Sequence, residues 1–194
     1  MAKSHAKAIE VEFRALVSEA DHTRIKRFLD EHAKTLRHQE QASYYFHDSG
    51  KAFKLVHDKG QEQIRAAYKS KNITDAGHAD EFEISIDPSQ ELAAVKMFKG
   101  LLGLDKVIYD EQVRTDYDYN GVEIALKWSE GWGHHLEFEV VVGVDSEIKA
   151  AEVLIQEVAD ELGVKLMTDQ EVTDLVASIH QKLENDEYKV AGYR

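Results

Sequence analysis

The sequence predicts an α+β fold in which helices pack on one side of an antiparallel sheet, and three observations carry that prediction. Eight segments show strand signals, while four others space their apolar residues at helical intervals. The strand segments follow one another closely across turn-forming residues such as Asp58-Lys59-Gly60 and Asn120-Gly121, which suits hairpins rather than parallel crossovers. The strand alternation also repeats one theme. Glu10-Val11-Glu12-Phe13-Arg14 puts two carboxylates and a guanidinium on one face, and Glu81-Phe82-Glu83 and Glu137-Phe138-Glu139 repeat the acidic pair.

In chain order, a first strand is expected from about Ala8 to Ala15. Ser18-x-x-Asp21 then opens a helix carrying Ile25, Phe28 and Leu29 on one side. Four strands follow, at Gln41 to His47, Ala52 to His57, Gln63 to Lys71 and Asp80 to Ile86. They are divided by Asp48-Ser49-Gly50, Asp58-Lys59-Gly60 and a polar loop containing Gly77, the spacing of an antiparallel meander. Asp87 as N-cap and Pro88 at the first helical position start a second helix, with Leu92, Val95, Phe98 and Leu102 at helical spacing before Gly103. Three more strands are expected at Val107 to Tyr119, Val122 to Trp128 and His135 to Val142, the first two joined by Asn120-Gly121. The helical period returns at Asp145, with Ile148, Ala151, Ile155, Val158 and Leu162 before Gly163. Thr168-x-x-Glu171 caps a last helix bearing Val172, Leu175, Val176, Ile179 and Leu183, and the tail after about Asp186 is expected to fray.

The totals bound the function. At 194 residues the chain suits one domain, spanning residues 1–194, with a sizeable core. Its 24 Lys and Arg against 37 Asp and Glu leave a net charge of -13, which disfavours a nucleic-acid backbone as partner. No cysteine is present, so there is neither a disulfide framework nor thiolate chemistry. No apolar run spans a bilayer, and Met1 to Lys7 lacks the apolar core of a secretory signal. The expectation is a cytoplasmic protein without a membrane partner. No oligomer interface is legible.

The alternation then points to a site. Val122, Ile124, Leu126 and Trp128 make one face of their strand apolar, and Leu136, Phe138 and Val140 repeat it, so helices must cover those faces. The charged faces are left pointing together. If the sheet closes into a barrel, Glu10, Glu12, Arg14, Lys54, Arg65, Lys69, Glu81, Glu83, Arg114, Glu123, Lys127, Glu137 and Glu139 line its inside. A lumen this charged is costly to desolvate unless its groups pair or hold a ligand. Carboxylates two apart on a strand suit hard cations such as Mg²⁺ or Mn²⁺, whereas zinc wants His or Cys. His134-His135 reads as structural, because adjacent strand residues face opposite ways. Arg and Lys interleaved with the glutamates suit phosphate oxygens, so together they describe a polyphosphate site. The same pattern also describes charges that neutralise one another in a salt-bridge network on a solvent-facing sheet. Tyr44, Tyr45, Tyr117, Tyr119, Trp128 and Trp132 read as core or helix-facing aromatics rather than a base-stacking platform.

Taken in order, these segments resemble a known family. Glu10-x-Glu12-x-Arg14 resembles the N-terminal Glu-x-Glu-x-Lys signature of the CYTH superfamily, the triphosphate tunnel metalloenzymes that include class IV adenylyl cyclases and thiamine triphosphatases. Gln41-Ala42-Ser43-Tyr44-Tyr45-Phe46 is similar to its Gln-x-Asp-x-Tyr-Phe segment, and Phe53-Lys54-Leu55 to its Leu-Arg-Ile strand. Arg65 to Lys69 resembles its strand ending in a substrate-facing lysine, and Glu81-Phe82-Glu83 its middle acidic pair. Arg114-x-x-Tyr117 resembles the Arg-x-x-Tyr strand, and Gly131-Trp132-Gly133-His134-His135-Leu136-Glu137-Phe138-Glu139 the Gly-Leu-Gly-x-Phe-x-Glu-x-Glu hairpin. The resemblance covers about Ile9 to Val142.

It implies an eight-stranded antiparallel β-barrel forming an open tunnel, with a polar charged lumen and helices on the outside. By the same resemblance, Glu10, Glu12, Glu137 and Glu139, then Glu81 and Glu83, are candidate ligands for Mg²⁺ or Mn²⁺. Arg14, Lys54, Arg65, Lys69, Arg114 and Lys127 are candidate substrate contacts, and Glu10, Glu12 and Lys69 candidate catalytic residues. The implied reaction is hydrolysis of the terminal anhydride of inorganic triphosphate, a nucleoside triphosphate or thiamine triphosphate. A non-catalytic polyphosphate-binding or nucleotide-binding module and a class IV-type adenylyl cyclase are the alternatives. The chain departs from the pattern at Arg14 for Lys, at Val56 for the second Arg of Leu-Arg-Ile-Arg, at Lys127 for a frequent Asp, and at Ser43 for another. The His-Phe element often seen ahead of the signature in the cyclases is missing, which favours triphosphatase over cyclase.

Overall fold

The computed structural model describes residues 9–48, 51–60, 63–69, 81–105 and 107–184. Eight strands and four α-helices appear in the expected order: β1 (Ile9–Leu16), α1 (Glu19–His32), β2 (Lys34–Asp48), β3 (Lys51–Asp58), β4 (Gln63–Lys69), β5 (Glu81–Ile86), α2 (Glu91–Leu101), β6 (Ile108–Tyr119), β7 (Val122–Ser129), β8 (Gly133–Val142), α3 (Ile148–Glu161) and α4 (Asp169–Glu184). The turn at Ser49-Gly50, the loop around Gly77 and the tail from residue 185 lie outside the described residues.

Local chemistry explains the boundaries. Ser18 caps α1 by accepting from the Asp21 amide at 3.1 Å. Asp87 accepts from the Ser89 amide at 2.9 Å, and Pro88 opens a short 3₁₀ turn rather than the α-helix itself, which begins at Glu91. Asn120 and Gly121 both take positive φ, at 53° and 81°, the pairing that a tight β6–β7 hairpin requires. Before α4, Thr168 and Glu171 form a reciprocal capping box. The Glu171 carboxylate accepts from the Thr168 amide at 2.8 Å, and the Thr168 hydroxyl from the Glu171 amide at 3.2 Å.

The largest boundary difference from the sequence reading is at β2. β2 starts at Lys34 and not at Gln41, because β6 is long enough to pair with it from Lys34↔Asp118 onward, across a bulge between Thr35 and Arg37. The polar run Lys34 to Glu40 has no apolar alternation of its own. Ladder pairing, not side-chain pattern, makes it a strand.

All eight strands form one antiparallel sheet in the order β1-β8-β7-β6-β2-β3-β4-β5. The expected meander is β2 to β5, and β6 to β8 make a second one that β2·β6 joins to it. β1 and β5 are the end strands, and no ladder joins them among the described residues, so hydrogen bonds do not close the barrel wall there. α1 and α3 cover the apolar side of β1, β8, β7 and β6, where Ile25, Leu29, Ile155, Val158 and Leu162 bury against Ala15, Tyr117, Ile124, Leu136 and Phe138. α2 does the same for β2 to β4, with Ala94 and Val95 against Phe46, Leu55 and Ile64. Burying such side chains contributes roughly 1.5–3 kcal/mol each. The opposite face of the sheet is left to polar groups. α4 packs Leu175 and Ile179 against Ile108, Tyr45 and Trp132, and by strand register Ile108 and Tyr45 belong to that polar face.

Candidate functional site

Register alone places the charged residues on one surface. Across neighbouring strands, Glu12 faces Glu139 and Glu139 faces Glu123, a row of three carboxylates on β1, β8 and β7. The next row runs Arg14, Glu137, Ala125, Asp116 and Arg37 on β1, β8, β7, β6 and β2. The one after it runs His135, Lys127, Arg114 and Gln39. Continuing the alternation, Lys54, Arg65 and Glu83 fall on the same face of β3, β4 and β5. Eleven of the thirteen residues that the alternation put inside share this face; the other two, Lys69 and Glu81, have side chains outside the described residues.

At its centre lies Glu137. It pairs with Lys127 on β7 and accepts from Arg14 Nε at 3.2 Å, while Arg14 also reaches Glu12 at 2.5 Å. Burial raises the carboxyl's pKa, but Lys127 and Arg14 outweigh it and hold Glu137 well below the usual carboxylate range. A second network surrounds fully buried Asp116, which pairs with Arg37 and with Arg114 at 2.8 Å; Arg37 also reaches Glu123 at 3.0 Å. His135 is buried beside Trp132, ring centroids 5.3 Å apart, and burial pushes its imidazole down to about 4 although Glu137 opposes that. The Arg14 guanidinium stacks over Trp132 at 5.8 Å from the ring centroid.

The predicted residues therefore divide. Glu12, Arg14, Arg114, Lys127, Glu137 and Glu139 gather on β1, β8, β7 and β6. Glu10 sits at the exposed rim, opposite Val141. Arg65 and Glu83 pair with each other at 3.0 Å on β4 and β5, each more than two-fifths exposed. Lys54 faces the same side from β3, opposite Tyr45. The side chains of Lys69 and Glu81 lie outside the described residues. The sequence reading missed Arg37, which the late start assigned to β2 hid, and Asp116 on β6. Asp116 had a signal, since it lies two residues from Arg114 on the same strand. His134 and His135 face opposite ways, as expected of adjacent strand residues. His134 lies against His22, ring centroids 4.6 Å apart, while His135 joins the charged face. Of the aromatics, Tyr117 and Tyr119 are core residues tied to Asp30 and Glu161 at 2.7 and 2.6 Å, whereas Tyr45 and Trp132 border the polar face.

The charged groups are neither a plain metal cage nor a plain solvent-facing network. Among the described residues no three His, Asp or Glu side chains gather around a point suited to a metal ion. Asp116 and Lys127 are nonetheless buried, which a solvent-facing network does not explain.

The family model of the CYTH domain matches residues 8–173. The chain belongs to the CYTH family. Among solved structures, PH1012 from Pyrococcus horikoshii OT3 is 27% identical over 80% of this chain and 91% of its own, with a TM-score of 0.63. HpAC1 from Hippeastrum, a proposed adenylyl cyclase whose triphosphatase activity is dominant, is 19% identical over 82% and 89%, TM-score 0.56. A protein described as an adenylate cyclase candidate from Vibrio parahaemolyticus is 15% identical over 81% and 90%, TM-score 0.60. The last two share the fold. No curated protein matches the chain.

Within the CYTH pattern, the structure gives the departures a place. Val56 is buried on the polar face, between Ser43 and Arg65 by register, so the position without the family's Arg lies on that face. Lys127 is an added cation there, but Glu137 neutralises it. Arg14 uses its fork to bridge Glu12 and Glu137, which a lysine's single ammonium does with less geometric definition.

Proposed function

We propose that this CYTH protein is a metal-dependent triphosphatase acting as one unit on a small triphosphate. The observation that supports it best is the meeting of Arg14, Arg114 and Lys127 with Glu12, Glu137 and Glu139 on one partly buried sheet face. Arg14 and Arg114 present planar donors suited to phosphate oxygens, with Lys54, Arg65 and Lys69 as further contacts from β3 and β4. The carboxylate row Glu12, Glu139 and Glu123 offers hard oxygen donors at adjacent register positions, where like charges favour an added cation. With Glu10 at its rim, this row would hold Mg²⁺ or Mn²⁺ only once its side chains draw together, with Glu137 and the β5 pair Glu81 and Glu83 as further donors; the ion would supply charge neutralisation and polarise the scissile phosphoryl group. Glu10 or Glu12 would orient the attacking water, and the guanidinium groups would stabilise charge on the leaving phosphate oxygens.

A phosphate-release assay with inorganic triphosphate, ATP and thiamine triphosphate, each with Mg²⁺ or Mn²⁺, tests the reading beside a Glu10→Gln/Glu12→Gln control. Release that the control abolishes is the expected result; silence on every substrate removes it. One observation favours a second reading, binding without turnover: Arg14 already engages both Glu12 and Glu137. Tight triphosphate binding without phosphate or pyrophosphate release would select it.

A further inference from the structure

The carboxylates Glu12, Glu139 and Glu123 stand at adjacent register positions on β1, β8 and β7, where like charges repel. The chain itself compensates both ends of this row. Arg14 reaches Glu12 at 2.5 Å, and Arg37 Nη2 reaches Glu123 Oε1 at 3.0 Å. Glu139, between them, also acts electrostatically on Arg37. Each guanidinium draws its carboxylate towards its own end of the row. That pull works against a gathered oxygen cage, and none is present among the described residues.

The guanidinium groups are not held equally. Arg14 bridges Glu12 and Glu137 and stacks on Trp132, so three groups fix it. Arg37 comes from the polar first half of β2, and its side chain is 50% exposed. Its other bond runs from Nε to Asp116 Oδ2. Arg114, with a side chain only 17% exposed, holds Asp116 Oδ1 at 2.8 Å. Asp116 therefore keeps a guanidinium when Arg37 moves away, and no buried charge is stranded. Of the arginines on this face of β1, β2 and β6, Arg37 is the one whose departure costs least.

We propose that Arg37 is a built-in counter-ion of the carboxylate row, and that it must give up Glu123 before the row takes Mg²⁺ or Mn²⁺. Hard cations take carboxylate oxygens, and a divalent ion beside Glu123 and Glu139 repels a guanidinium bonded to the same group. Arg37 thus sets how tightly the chain holds its metal, although it donates nothing to the ion. The inference rests on the metal-dependent reading above, which gives Arg37 no role.

Mn²⁺ titration of the full chain without phosphate, read from the electron paramagnetic resonance of the free ion, tests it. Arg37→Gln should bind Mn²⁺ about three- to fivefold more tightly than the wild type, the upper range for a half-exposed ion pair. Arg37→Lys keeps the positive charge and should stay within about twofold of the wild type. Adding Glu123→Gln and Glu139→Gln to Arg37→Gln should abolish the site; Mn²⁺ binding that survives them places the ion elsewhere and overturns the inference. Equal or weaker binding by Arg37→Gln removes the inference alone. Absence of Mn²⁺ binding by every one of these proteins removes the metal-dependent reading with it. A second readout needs no variant: in wild-type crystals soaked in Mn²⁺, the ion should lie against Glu123 and Glu139 with the Arg37–Glu123 bond open. An ion there with that bond intact overturns the inference even if the variants do not fold.

Discussion

Lys127 and Glu137 are ion-paired between neighbouring strands β7 and β8, and Arg14 reaches the same carboxylate from β1. The pair is asymmetric. Glu137 has two cationic partners, whereas Lys127, its side chain 8% exposed, has Glu137 as its paired carboxylate.

That asymmetry orders two substitutions. Glu137→Gln leaves two cations without their shared counter-charge and should destabilise the fold by about 3–5 kcal/mol. Lys127→Met leaves Glu137 with Arg14 and should cost clearly less. Urea denaturation of both variants checks this, and the reverse order would show that Arg14 alone does not compensate Glu137 for the loss of Lys127.

Asp116 is fully buried between Arg37 and Arg114. Either Arg→Ala change alone leaves the carboxylate one guanidinium, so each should be tolerated. Removing both strands a buried charge, and the double variant should lose at least 1 kcal/mol more than the sum of the single losses. Additive losses in a double-mutant cycle would contradict the network.

Burial lowers the His22 pKa, with His134 and Lys26 adding to it while the Lys127 backbone and Glu19 oppose. A histidine whose folded pKa lies below its unfolded value contributes stability that is complete above about pH 6.5 and is lost as pH falls below it. His135, pushed to about 4, has the same sign. His22→Leu should therefore flatten the decline of melting temperature between pH 7 and pH 5. An equally steep decline in the variant would place the effect elsewhere.

Val56 offers a gain-of-charge test. Val56→Arg forces a guanidinium into a position 2% exposed, beside Arg65 by register, and should lower stability by about 1–3 kcal/mol without ligand. If the face binds triphosphate, inorganic triphosphate should then raise the variant's melting temperature more than the wild type's. Equal shifts in the two would argue that phosphate does not approach β3.

Much of this arrangement was legible in the chain. Strand alternation has a period of two, so Glu10-x-Glu12-x-Arg14 and Glu137-x-Glu139 had to share a face with their own neighbours whatever the fold, and Asn120-Gly121 had to turn. Helix caps at Ser18, Asp87 and Thr168 are equally local, since each is a side chain meeting an amide two or three residues on. These features depend on bonds and sterics within a few residues, and the sequence contains both partners.

Tertiary structure decided the rest. That Lys34 to Glu40 is a strand depends on β6 lying alongside, and with it came Arg37, whose link to Asp116 joins residues far apart in the chain. Which cation neutralises which carboxylate, and that Arg37 reaches Glu123 from β2, depend on strand order. By itself the sequence determined which residues face which way. Only the packed sheet determined which of them meet, because electrostatic and hydrogen-bond partners are chosen by distance in space, across strands whose pairing no local rule specifies.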